Sequence, residues 1–332
     1  MPATVVRHDI PEAIVGLDIL EDKVRLAWQS ALLRLTDSQS ETTAWRKLGL
    51  SRRDHVGIKI STLGGRLSGT RIELVKTIIQ SLRQAGISKI TVWDKWQRDM
   101  EHAGYLPPSH HLDAHITSIL PSPPGMSRKA FIDYPLVGNL VPGDLDFLTE
   151  YQRDRLRPEK FKDRKRFFDL KNGTSRRSYF AHPLVHTFTQ VINVSALNHD
   201  NLYGIHGTLV SLALGSVDNT LRFTQGPRST DEAIGEILDH PILKSKVRLH
   251  ILDGLRIQFA AGPRQHAEFS RPAGIILLSQ DPVALDTVGL ELLNEYRKEA
   301  QMPPLTPQPG HLAAAAEIGL GEADRSRIQV LR

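Results

Sequence analysis

No cysteine occurs among the 332 residues. Its absence removes disulfides, thiolate nucleophiles, zinc–cysteine sites and iron–sulfur ligation by this chain. Any divalent metal would therefore have to be held by His, Asp, Glu or Asn, and fourteen His make the chain histidine-rich enough to consider it. Long apolar runs are missing as well, none approaching the roughly 20 residues that cross a bilayer. The first residues, Met1 to Asp9, lack the basic-then-apolar layout of a secretory signal. The expectation is a soluble chain, cytoplasmic as written, with an exported mature form carrying a new Met1 as the alternative. With 40% hydrophobic and 24% charged residues, the composition suits a folded globular protein of one large body or two smaller ones.

A net charge of +5 and a pI near 9.4 invite a nucleic-acid reading, but the charge is not spread evenly. Arg153 to Arg177 holds eleven Lys/Arg against four Asp/Glu, which leaves the rest of the chain at −2. The segment reads as a patch for phosphate, nucleic acid or a membrane surface, or as a solvated insertion whose charges pair among themselves. The second reading is preferred: only Phe161, Phe167 and Phe168 offer stacking surfaces and no nucleic-acid motif surrounds them.

Short apolar, β-branched runs predict strands over Val56 to Ile60, Ile90 to Trp93, Ile116 to Leu120, Val191 to Val194, Val247 to Leu252 and Ala273 to Ser279. Helical spacing of apolar residues marks Leu17 to Leu35, Arg71 to Ala85, Glu232 to Leu238 and Pro282 to Tyr296. Strand–helix alternation of this kind predicts an α/β fold with a largely parallel or mixed sheet and flanking helices. We expect a single α/β body over 1–332, a Pro-rich and basic insertion or subdomain over 121–180, and a C-terminal helix and tail over 310–332.

Ligands of open α/β sheets bind beyond the carboxyl ends of the strands, so the polar residues that follow each apolar run are the candidates. Lys59 ends a strand and must reach water or an anionic partner. The following Gly/Ser/Thr-rich loop, Ser61 to Thr70, leads to a helix start suited to anions, with Ser68 or Thr70 as substrate contacts or simply as the helix cap. It matches neither a P-loop nor a dinucleotide fingerprint. Asp94-Lys95, Asn198 to Asn201, Asp253-Gly254 and Gln280 to Pro282 follow other strands. His199, placed in a loop, and His206, placed at a helix start, are expected either to exchange protons as catalytic residues with Lys59 and Asp94, or to share a divalent metal with Asp253. Asn198, Asn201 and Arg264 are expected to contact substrate, Arg264 through a carboxylate or phosphate. Asp281 reads as a helix N-cap before Pro282. Asp286 lies on an apolar helix face and needs a partner: a cation, a backbone N–H or an active-site group.

The stretches Val56 to Tyr105, Val191 to Gly215, Leu249 to Gly262, Ile275 to Asp286 and Ala316 to Asp324 together resemble the bacterial domain-of-unknown-function family 362, through the I-x-D-G of Ile251 to Gly254 and the D-P-V-A-x-D of Asp281 to Asp286. The resemblance implies no general activity. Many members are exported by the twin-arginine route or carry a ferredoxin-type cluster domain, a form the missing cysteines exclude here. Where many members read K-P-N, this chain has Lys59-Ile60-Ser61; where they read K-x-H it has Leu197-Asn198-His199, and Gly207 to Ser211 lacks the lysine of the related helix start.

The leading expectation is an enzyme acting on a small anionic or polyhydroxylated substrate. The alternatives are a redox protein served by an external flavin or partner, and a non-enzymatic anion or nucleic-acid binder using the 153–177 segment. Self-association is left open.

Overall fold

Side-chain alternation along the strands sorts the apolar residues onto two faces of one sheet. Val56, Ile58, Ile60, Ile192, Val194, Leu249, Ile251, Ile276 and Leu278 enter one core, while Val191, Leu252, Ile275 and Leu277 enter the other. The computed structural model describes residues 2–107, 112–120, 131–135, 168–169, 174–175, 178–217, 220, 223 and 227–332. Its central sheet has nine strands: β1 (Ala3–Asp9), β2 (His55–Ile60), β3 (Lys89–Trp96), β4 (His115–Leu120), β5 (Gln190–Asp200), β6 (Gly204–His206), β7 (Val247–Gln258), β8 (Ser270–Ser279) and β9 (Ile328–Leu331). The order is β9-β1-β8-β7-β5-β2-β3-β4, with β6 folded back on β5. Five of these pairings are parallel and three antiparallel. The protein is thus an α/β fold with a mixed, mostly parallel sheet.

Helices cover both faces. Helices α1 (Glu21–Thr36), α2 (Glu41–Lys47) and α3 (Ile72–Gln84) bury Trp28, Trp45 and Ile78 against one. The other carries α5 (Thr208–Ser216), α6 (Pro227–Asp239), α7 (Pro282–Glu299) and α8 (Gly310–Glu317), through residues such as Leu209, Ile234, Leu285 and Leu312. The short α4 (Gln97–His102) follows β3 directly. No helix among the described residues is long and apolar enough to cross a membrane.

All six expected strands are present, most of them longer than their apolar runs. The expected helix over Leu17 to Leu35 begins only at Glu21, because Ile14–Val15 and Asp18–Ile19 pair as a small hairpin about Gly16 at φ +64°. Within the expected insertion, Phe131–Pro135 pairs antiparallel with Tyr179–Ala181, and Phe168–Asp169 with Thr174–Ser175. The rest of it, including nearly all of the basic segment Arg153 to Arg177, lies outside the described residues. The C-terminal tail supplies β9, parallel to β1 at the sheet edge.

Candidate active site

The segment Asn198 to His206 is neither a loop nor a helix start. It is a β-hairpin in which Asn198 pairs with His206, His199 with Ile205 and Asp200 with Gly204. Asp200 builds its turn: Oδ1 accepts the N–H groups of Leu202 (2.8 Å) and Tyr203 (3.1 Å), an Asx-type turn that Gly204 closes at φ +73°. The other oxygen, Oδ2, lies 3.0 Å from His206 Nδ1. Burial alone would raise Asp200's pKa, but the His206 hydrogen bond and charge and the two backbone donors outweigh it and hold the carboxyl below its usual range. An ionised carboxylate only accepts, so Nδ1 carries the proton and Nε2 is the nitrogen left for proton exchange.

Alternation on β5 separates the two histidines that the sequence suggests as a pair. Asp200 and His206 are diagonal neighbours on one face, and His199 pairs with Ile205 on the other. His199 Nδ1 accepts the Gly262 N–H at 3.4 Å, and burial, followed by the nearby Arg297, pushes its pKa down. Gly262 presses on the strand so closely that a Cβ there would stand 1.9 Å from the His199 carbonyl oxygen, a gap only glycine fits. Asn201 N–H reaches the Gly262 carbonyl at 3.1 Å, tying the loop of Ala261 to Arg264 to the hairpin.

A cleft of about 520 Å³ opens between this hairpin, the ends of β2 and β3, α5 and that loop. His206, Asp200, Asn201 and Tyr203 line it from the hairpin, Lys59, Asp94, Lys95, Trp96 and Asp99 from the strand ends and α4, Ser211 from α5, and Arg264 from the loop. At its base Lys59 Nζ is 2.8 Å from Asp94 Oδ1 and donates to the Ile60 carbonyl at 2.6 Å and to Ser211 Oγ at 3.3 Å. Asp94 further accepts the Thr62 N–H (2.9 Å) and hydroxyl (2.5 Å) and its neighbour Lys95's N–H (2.7 Å). The lysine at the strand end thus meets its counter-ion inside the protein, and both groups are already engaged. At the mouth Arg264, with a side chain 73% exposed, lies 3.5 Å from Asp99. Burial raises Asp99's pKa, against the lowering effect of Arg264.

The structure therefore brings Lys59, Asp94, Asn201, His206 and Arg264 to one cleft and leaves His199, Asn198, Ser68, Thr70 and Asp253 out of its lining. Ser68 donates to Gln258 Oε1 (3.0 Å), Thr70 to the Val194 carbonyl (3.0 Å), and Asn198 to the Ser68 carbonyl (2.7 Å), so these groups brace the Ser61 to Thr70 loop from within. Neither Ser68 nor Thr70 caps α3. Its N-cap is Arg71, whose N–H is accepted by Asp253 Oδ2 at 2.6 Å. Asp253 is buried under that helix start, with Leu255 N–H on its other oxygen at 3.0 Å. Among the described residues no three His, Asp or Glu converge on a point where a metal would sit.

Asp286 finds its partner in backbone. It accepts Thr208 N–H (2.7 Å), Thr208 hydroxyl (2.8 Å) and Leu209 N–H (2.9 Å), the start of α5. Asp281 caps α7 through Ala284 N–H at 2.8 Å, so both carboxylates of the D-P-V-A-x-D motif hold helix ends. Sequence reasoning did not assign roles to Asp200, Lys95, Trp96, Asp99, Tyr203 or Ser211. Asp200 and Lys95 stood in the strand-end segments already singled out; Asp99 and Ser211 carry no signal short of the fold.

These features define an α/β protein with a cleft of apolar walls and a few charged groups at the carboxyl ends of its parallel strands. The profile of the family described as Domain of unknown function (DUF362) matches residues 151–291, which supports the resemblance seen in the motifs. No curated protein matches the chain. A crystal structure of a protein from Thermotoga maritima is similar over 87% of this chain and 61% of its own, at 9% identity and a TM-score of 0.39. The chain thus spans about three fifths of that protein's length.

Proposed function

We propose that the cleft is the active site of an enzyme that moves a proton to or from a small anionic substrate, with His206 as the acid–base residue. The observation that carries this reading is the Asp200–His206 pair at 3.0 Å on the wall of the cleft. A carboxylate on Nδ1 fixes the ring and its tautomer and leaves Nε2 as the atom that takes and gives the proton. Arg264 offers the exposed cation for a carboxylate or phosphate, and Asp99, held protonated to higher pH by burial, is a second proton carrier on the same cleft. Lys59 and Asp94 neutralise one another at the base and keep the strand ends in register rather than meeting substrate. Acid–base chemistry is preferred to a shared metal because Asp253 and His199 are engaged elsewhere and Asp94's oxygens are filled.

The test is proton exchange with solvent. Small carboxylates and sugar phosphates are incubated with the protein in D2O and followed by proton NMR. His206→Gln is expected to lower the exchange rate of any responsive compound by about 100-fold or more, Arg264→Ala to weaken its binding, and His199→Gln to leave the rate within about twofold. Equal losses in the two histidine variants, or none in His206→Gln, would contradict the assignment.

A further inference from the structure

Most of the large apolar side chains are covered, and the exceptions are few. Among the described residues seven are substantially exposed, and two of them, Trp96 at 37% and Leu202 at 78%, line the proposed cleft. Single exposed leucines need no explanation, but these two come from separate elements, the end of β3 and the tip of the hairpin, and share one concave site. Trp96 is also unlike the other tryptophans. Trp28, Trp45 and Trp93 are fully buried, so Trp96 alone offers an indole surface to a ligand. One cation stands beside it, Lys95 Nζ at 5.5 Å from the Trp96 ring centre, and Arg264, whose guanidinium lies 3.5 Å from Asp99, lines the same cleft.

We infer that the cleft takes an anion carrying a planar ring, with the ring on Trp96, Leu202 closing over its edge and the anionic group on Arg264. The inference rests on the reading of the cleft as a small-anion site and names the class of its ligand. Apolar walls with a few convergent charges are what such sites require, and about 520 Å³ accommodates a ring system with one phosphate or carboxylate. Stacking on an indole adds affinity irrespective of which ring is bound, while the cation sets charge.

Two matched pairs of probes test it by calorimetry: adenosine 5′-monophosphate against ribose 5-phosphate, and benzoate against acetate. Within each pair the anion is kept and the ring removed. The ring-bearing probe of at least one pair is expected to bind about tenfold or more tighter than its ringless partner. That ratio should fall towards one in Trp96→Leu, with ringless binding unchanged. Because the other tryptophans are buried, acrylamide-quenchable fluorescence should belong to Trp96 and be protected by the tighter probe. Equal binding within both pairs, or fluorescence with no quenchable part, overturns the inference and leaves the proton-transfer cleft standing. Binding of none of the four probes, or binding untouched by Arg264→Ala, overturns both.

Discussion

Which of the two histidines faces the cleft is decided by the two-residue period of a strand. His199 and His206 are both polar groups near an apolar strand end and look equivalent when the stretch between them is taken as a loop. Once the strand runs to Asp200 and returns through Gly204, Asp200 and His206 fall on one face and His199 on the other. One-residue shifts exchange faces, so a site read from this segment depends wholly on where the turn begins. The clue available in the sequence was Asp200 followed by Gly204, an Asx-turn former and a residue that accepts positive φ. Lys59 illustrates the converse. Its need for an anionic partner followed from its place in an apolar strand, and the partner, Asp94, lies two residues before the end of the neighbouring strand. Removing one member of such a pair leaves the other charge buried and uncompensated. Lys59→Met is accordingly expected to destabilise the protein by about 3–5 kcal/mol in denaturant titrations; a change within about 0.5 kcal/mol, the range of an ordinary surface substitution, would contradict the burial of the pair.

At the scale of elements, two inward carboxylates hold two helix starts: Asp253 the first turn of α3 and Asp286 that of α5. Asp286 occupies the Thr208 and Leu209 N–H groups that would otherwise attract a ligand anion, and Asp253 takes the Arg71 N–H at the N-cap of α3. Burial pushes both carboxyls up to about 6 against their hydrogen bonds. Between about pH 4 and 6 the folded chain therefore retains protons that the unfolded chain has released, and stability from these groups falls as pH rises through that window. The stability advantage of the native protein over Asp286→Asn should shrink from pH 4 to pH 6.5, by about 3 kcal/mol at most, as measured by urea unfolding at each pH. An advantage that grows over that range would contradict the assignment. The helices were legible where apolar spacing was long and regular, as in α3 and α7. The short α2 and α4 were not, since seven and six residues hold too few turns to show a period.

Across the whole molecule, the parallel centre of the sheet was readable because strands buried on both faces appear as unbroken apolar runs. The strands β1 and β9, side by side at one end of the sheet, were not. Ala3–Asp9 mixes Arg7, His8 and Asp9 with its valines, and Ile328–Leu331 has only four residues, so neither stands out as a strand until the termini are seen side by side. The cleft is a product of this assembly. It collects β2, β3, α5, the β5–β6 hairpin and the β7–β8 loop, drawn from sequence positions more than 200 residues apart. Its local charge balance is mixed, and the excess basicity of the chain belongs elsewhere, to the 153–177 segment. The central claim is that Asp200 sets His206 for proton transfer through Nε2. Long-range proton–nitrogen correlation NMR on histidine-labelled protein, at a pH where the ring is neutral, measures this directly. His206 is predicted to carry its proton on Nδ1, with Nε2 bare, and to lose that preference in Asp200→Asn; an Nε2-protonated ring, or a spectrum unchanged by the substitution, would contradict it.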